Sequence, residues 1–268
     1  MKAYEKNSKR CLEGIITLTL FLFVSLSCAI LDSKKDDYDM ANEDKHSDEI
    51  VILVHGMGRT RFSMILLDRY LKRNGYTTTS YSYRSTRNTI DQSSAKFADF
   101  LIETSENTPD KKLHIVTHSL GGILTREALV KVDTYFDEAK HVPVSSKQAL
   151  PIHKINIGRI VMLAPPNKGS KAANFFSKFW PIPKILKPIT ELRNSEDSPI
   201  NDVPVPQNVD IGVIAGRFDR KVTPAESHLD SEKDHIVVNS SHSFIMNNRN
   251  VQIAVKNFLK NGHFGTKK

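Results

Sequence analysis

The sequence predicts an α/β fold, a mostly parallel central sheet with helices on both of its faces. Three observations carry this expectation. Short aliphatic runs rich in β-branched residues, such as Ile50 to Val54, are apolar at every position, which suits strands buried on both faces. Segments of helical period lie between these runs. The two kinds of segment alternate at a spacing that implies parallel pairing through right-handed crossovers. The chain has 268 residues, 39% of them hydrophobic, which is enough to bury the core of one domain.

Ile50 to Val54 is the first predicted strand. Phe62, Ile65, Leu66, Arg69 and Tyr70 then fall at helical spacing, and Asn74-Gly75 stops that helix. Thr77 to Tyr83, β-branched and aromatic, is the second strand. Ile90, Ser94, Phe97, Ala98, Leu101 and Ile102 mark one face of a second helix, ended by Pro109. Lys112 to Thr117 is a third strand and Ser119 to Lys131 a third helix. Ile157 to Leu163, Val209 to Ala215 and His235 to Val238 complete the strands, and Val251 to Leu259 is a closing helix. No internal repeat or second folded domain is evident.

The N-terminal segment is of a different character. Gly14 to Leu31 is uncharged and strongly apolar behind a short basic segment, so residues 1–31 are expected to be a signal peptide or membrane anchor that directs the rest of the chain out of the cytoplasm. Three outcomes are open at its end: cleavage after Ala29, lipidation of Cys28 as in a bacterial lipoprotein, or an uncleaved anchor. Residues 32–49 carry eight carboxylates against three lysines and read as an acidic flexible linker. The net charge of the whole chain is +8, which leaves residues 50–268 distinctly basic. Nucleic acid is not an expected partner, since no zinc-finger spacing, ribonucleoprotein signature or Arg-rich arm is present. Both cysteines, Cys11 and Cys28, precede the folded part, and no Cys/His cluster has metal-ligand spacing, so no metal and no other cofactor is expected.

Chemistry-bearing residues fall where a parallel sheet gathers them, at the C-terminal ends of strands. After the third strand, Thr117-His118-Ser119-Leu120-Gly121-Gly122 places a serine between small residues at a strand-to-helix turn. Such a turn lifts one side chain out of the backbone, in front of a helix N-terminus. After the first strand, His55-Gly56-Met57-Gly58 can bring the Met57 amide to the same place. After the penultimate strand comes Asp219, and after the last comes His242 in a polar loop. A serine hydroxyl needs a base within hydrogen-bond reach, and the base needs a carboxylate to orient it. Ser119, His242 and Asp219 are the candidates for these three roles, with the amides of Met57 and Leu120 as an oxyanion hole. Asp230 and Asp234 are reserve acids, and His228 and His235 reserve bases.

In these motifs the chain resembles the α/β-hydrolases, in a minimal version of that fold, and among them small bacterial lipases and esterases. The resemblance covers roughly residues 50–259 and includes Ala164-Pro165-Pro166-Asn167-Lys168-Gly169-Ser170, similar to the Pro-x-x-Gly-Ser that follows a strand in many lipases. Two positions depart from the family pattern: Thr117 stands where glycine or alanine is usual, and Arg220 where glycine often follows the acid. The resemblance implies a serine hydrolase of carboxylic, lipid or other acyl esters, acting through an acyl-enzyme. Acyl transfer by the same residues, or a non-catalytic surface-anchored binding protein of the same fold, are the alternatives. His55, Gly56, His118, Phe179 and Trp180 are candidates for the substrate pocket. Residues 171–207, with bulky apolar groups beside lysines, sit where these enzymes commonly carry a lid. Nothing in the sequence fixes an oligomeric state.

Overall fold

Each predicted aliphatic run becomes a strand of a single sheet. In the computed structural model, which describes residues 46–140 and 155–265, β1 (Glu49–Val54), β2 (Thr77–Tyr81), β3 (Lys112–His118), β4 (Ile157–Leu163), β5 (Ile211–Gly216) and β6 (Asp234–Val238) pair in the order β2-β1-β3-β4-β5-β6. Every neighbouring pair is parallel. Alternate side chains of a strand point to opposite faces, and here both faces are covered. Val51, Leu53, Val116, Val161 and Ile214 pack under α1 (Ile65–Arg73) and α7 (Arg249–Asn261). Ile50, Ile52, Ile115, Ile160 and Val213 pack under α2 (Ile90–Asn107) and α3 (Leu120–Lys140). A strand filled on both faces has no polar positions to alternate with, which is why the sequence shows continuous apolar runs.

The connections decide where the functional groups meet. From β1 the chain crosses to β2 on one side and then returns to β3 on the other, so the loops after β1 and β3 leave the sheet side by side at a switch point. Three shorter helices, α4 (Lys171–Phe176), α5 (Ile182–Ile185) and α6 (Pro224–Ser227), lie in the loops after β4 and β5. Of the region 171–207, Ile189, Leu192 and Ile200 are buried against Leu120, Ile123 and Leu124 at the start of α3. Arg126 of α3 donates to the carbonyls of Val203 and Pro204, which fastens the end of this region as well. Phe175, Phe176, Phe179, Trp180 and Ile185, by contrast, are exposed.

Several element boundaries differ from the expected ones. β2 ends at Tyr81 because Tyr83 turns across to the loop after β1, donating its hydroxyl to the His55 carbonyl at 2.8 Å and stacking on the His55 ring. The third helix begins after Ser119 and runs to Lys140, past the predicted Lys131, because Val132 and Phe136 continue its buried face. β5 begins at Ile211 instead of Val209. The predicted leader, Cys28 and the linker up to residue 45 lie outside the described residues. Among the described residues no helix is long and apolar enough to cross a membrane.

Candidate active site

β3 delivers Ser119 with φ +52°, a left-handed conformation that costs a non-glycine residue on the order of 1–3 kcal/mol. The surrounding backbone holds it there: the Ser119 amide donates to the Leu163 carbonyl of the neighbouring strand at 2.9 Å, and its carbonyl accepts from the Gly122 amide at 2.9 Å. The sharp turn is made possible by two close approaches. A Cβ on Gly121 would lie 2.9 Å from the Val54 carbonyl oxygen, so only glycine lets α3 start this close to the loop after β1. At Gly122 a Cβ would come within 3.0 Å of Pro165 Cβ, and Thr117, the departure from the family pattern, is fully buried nearby. The Thr117 hydroxyl has no hydrogen-bond partner among the described residues.

Ser119, His242 and Asp219 form one hydrogen-bonded row. His242 Nε2 is 2.9 Å from Ser119 Oγ, and His242 Nδ1 is 2.7 Å from Asp219 Oδ2. A carboxylate only accepts, so the imidazole carries its proton on Nδ1 and turns a bare Nε2 toward the serine hydroxyl. All three residues are under 10% exposed. Asp219 is held from the far side as well, since its Oδ1 accepts the amides of Lys221 and Val222 at 2.8 and 2.9 Å. The residue after it needs no special backbone freedom, and Arg220 is accommodated as an exposed residue. The loop that carries Asp219 is in turn tied to the loop after β4, where Ser170 Oγ donates to the Lys221 carbonyl.

Met57 and Leu120 flank the serine. A Cβ on Gly56 would come within 3.0 Å of Ser119 Cβ, which places the loop after β1 directly against the serine. The amides of Met57 and Leu120 have no acceptor among the described residues. The two histidines proposed for the pocket are buried structural groups. His118 donates from Nε2 to the His242 carbonyl at 3.0 Å, and burial, aided by His242, holds its pKa well below the ordinary histidine value. His55 lies under Tyr83, its Nδ1 3.0 Å from the Gly56 carbonyl, and burial lowers its pKa too. Phe179 and Trp180 are 49% and 77% exposed, beside Phe175 and Lys184 respectively.

The reserve residues fall elsewhere. Asp230 pairs with Lys168, and Asp234 accepts the Phe264 amide at the start of β6, at the far end of the sheet. His228 and His235 also lie at that far end, where their ligand atoms and those of Glu232 come within 4.8 Å of one another, a grouping that residue spacing did not reveal. Their rings stack with centroids 3.9 Å apart and planes 19° off parallel, so the two imidazoles do not aim lone pairs at a common point. A second unforeseen feature is a cavity of about 350 Å³ walled by Arg59, Arg84 and Arg87.

Comparison with known proteins bears on the family and the fold. Residues 44–191, more than half of the chain, match the family described as "Putative serine esterase (DUF676)", a span that includes Met57 and Ser119 but neither Asp219 nor His242. No curated protein matches the chain. Among solved structures, the mature Bacillus licheniformis lipase BlEst2 superposes with a TM-score of 0.58 at 15% identity, over 80% of this chain and 91% of that one. Aspergillus fumigatus lipase B gives 0.59 at 12% identity, over 84% of this chain and 56% of that one. A Xanthomonas campestris α/β serine hydrolase without a lid gives 0.50 at 15%, over 80% of each chain. With its six-stranded parallel sheet, covered faces and serine at the switch point, the chain has the α/β-hydrolase fold and belongs to this serine esterase family.

Proposed function

We propose that the protein is an exported serine hydrolase that cleaves carboxylic esters, of lipid or other acyl type, through an acyl-Ser119 intermediate. The observation that carries this reading is the row from Ser119 through His242 to Asp219. Ser119 Oγ attacks the ester carbonyl while His242 Nε2 takes its proton, and the same proton then passes to the departing alkoxide. Asp219 holds the imidazole in the required tautomer and stabilises its cation. The amides of Met57 and Leu120 receive the oxyanion, each such donor contributing about 2.7–4 kcal/mol in comparable sites. Water, activated by His242, resolves the acyl-enzyme. Every step is completed by side chains and amides of this chain, with no cofactor.

The acyl character of the substrate is supported by the exposed apolar residues beside each site loop. Phe62 follows the loop after β1, Phe218 precedes Asp219 and Phe244 follows His242, each more than 60% exposed. Exposed aromatic groups gathered around a nucleophile suit an apolar chain or surface. Within 171–207 the part free to act as a lid is the exposed stretch from Phe175 to Ile185, the remainder being packed on α3. Export and membrane association rest on the apolar segment Gly14 to Leu31. The mass of the native N-terminus reads out cleavage after Ala29, lipid on Cys28 or an intact leader, and an intact leader on soluble cytoplasmic protein would refute export.

The direct test is turnover of a series of p-nitrophenyl esters from acetate to palmitate by wild type and Ser119→Ala. Wild type is expected to release nitrophenol with a preference for medium or long chains, and Ser119→Ala to lose at least about 10³-fold in kcat. Equal rates in the two proteins would refute the reading. Adding a competing alcohol distinguishes hydrolysis from transfer, since a transferase would form the new ester in preference to free acid.

A further inference from the structure

We propose that the arginine-walled cavity beside Ser119 binds a phosphate group carried by the substrate, so that the preferred ester is an acyl ester bearing phosphate close to the scissile bond. This rests on the serine-hydrolase reading and adds a substrate class to it. The cavity, about 350 Å³, lies between the loop after β1, which contributes Gly58 and Arg59, and the loop after β2, which contributes Arg84, Ser85 and Arg87. The parallel pairing of β1 with β2 brings these two loops together. Ser85 fastens them: its buried hydroxyl accepts the Gly58 amide at 3.1 Å and donates to the Arg59 carbonyl at 3.4 Å.

Position relative to the nucleophile is set by the same loop. Gly56 abuts Ser119, and Gly58 stands two residues further on, roughly 7 Å of chain. The charge of Arg59 reaches the site, where it adds to burial in keeping His118 neutral. An ester seated on Ser119 with its oxygen toward Met57 therefore has the cavity next to it.

Three arginines contribute to the wall of one open cleft, and none of them has a carboxylate within 4 Å among the described residues. Some other cations among the described residues are paired, Lys72 with Asp68, Lys131 with Asp91, Lys168 with Asp230 and Lys233 with Asp210. One guanidinium fork satisfies the two oxygens of a carboxylate, whereas Arg59 approaches from one loop and Arg84 and Arg87 from another. Arginines carried by two facing loops suit the tetrahedral oxygens of a phosphate better than the planar pair of a carboxylate.

The test compares short, water-soluble butanoyl esters on the full-length chain: 1-butanoylglycerol 3-phosphate, neutral 1-butanoylglycerol, and O-butanoyl lactate as the carboxylate-bearing member. The phosphate ester is expected to have the highest kcat/KM. Its ratio to the neutral ester should fall about tenfold to a hundredfold in Arg84→Gln/Arg87→Gln, the range for losing hydrogen bonds to a charged group. The charge-matched control Arg69→Gln/Arg73→Gln, on the exposed side of α1, should keep the wild-type ratio. A wild-type ratio near one, an equal fall in both double variants, or a lactate ester as good as the phosphate ester would each overturn the proposal. Should no butanoyl ester be turned over, the hydrolase reading is judged separately by the p-nitrophenyl series from acetate to palmitate. Calorimetric titration with inorganic phosphate then judges the cavity: binding abolished by Arg84→Gln/Arg87→Gln upholds an anion site, and no binding to wild type removes it.

Discussion

His118, which donates to the His242 carbonyl, and His55, which stacks on Tyr83, are both held in the neutral form by burial. Each has a folded-state pKa below the ordinary value, His118 far below it. Below about pH 6.5 an unfolded chain takes up protons at these positions that the folded chain refuses, so stability is complete above that pH and is lost as the pH falls. The slope is about 1.4 kcal/mol per pH unit for each such proton. Urea unfolding at pH 7, 6 and 5 should show this loss, and it should be shallower by about one proton in His118→Gln, whose amide can still donate toward the His242 carbonyl. An unchanged slope would mean that His118 is not held neutral. The neighbouring Thr117 shows how a residue that breaks a family pattern is fitted in. Its hydroxyl lies at ordinary contact distance, 3.4 Å, from where a Cβ of Gly122 would stand, a proximity five residues away that becomes visible only once strand and helix are packed together.

Among the elements, the start of α3 is placed by one contact, its close approach to the end of β1 through Gly121. Gly121→Ala would push a methyl against the Val54 and His55 carbonyl oxygens and force the helix N-terminus away from the loop that carries Met57. Overpacking of this kind costs about 1–3 kcal/mol. Separating the amides of Met57 and Leu120 should also lower kcat for an activated ester more than it raises KM. Chemical denaturation and steady-state kinetics check both effects, and an unchanged protein would show that the approach is not tight. The strands were legible because burial on both faces writes an unbroken apolar run. The fixed half of 171–207 was not, because Ile189, Leu192 and Ile200 are isolated among prolines and polar residues and follow no period. The end of β2 was misplaced for a related reason: Tyr83 has a strand's composition but spends its hydroxyl and ring on the loop after β1.

For the whole molecule, the parallel sheet turns four distant segments into neighbours by sending the loops after β1, β3, β5 and β6 to one edge. That rule, applied to strand ends alone, was sufficient to single out Ser119, Asp219 and His242, which the structure brings into one hydrogen-bonded row. Strand-end logic also separated His242 from His235, which stands near the start of β6. It did not reveal the arginine cavity, because Arg59 and Arg84 are 25 positions apart and meet only through the pairing of β1 with β2. Nor did it reveal the grouping of His228, Glu232 and His235, whose contact depends on how one loop folds back. The central claim is that Ser119 is an activated nucleophile. Its most direct measurement is reaction of the native protein with a fluorophosphonate probe, read by mass spectrometry of the peptide that carries the adduct. The account predicts one adduct, on Ser119, formed in wild type and absent from Ser119→Ala and from heat-unfolded protein. A native protein that takes up no probe, or takes it up equally after Ser119→Ala, would contradict it.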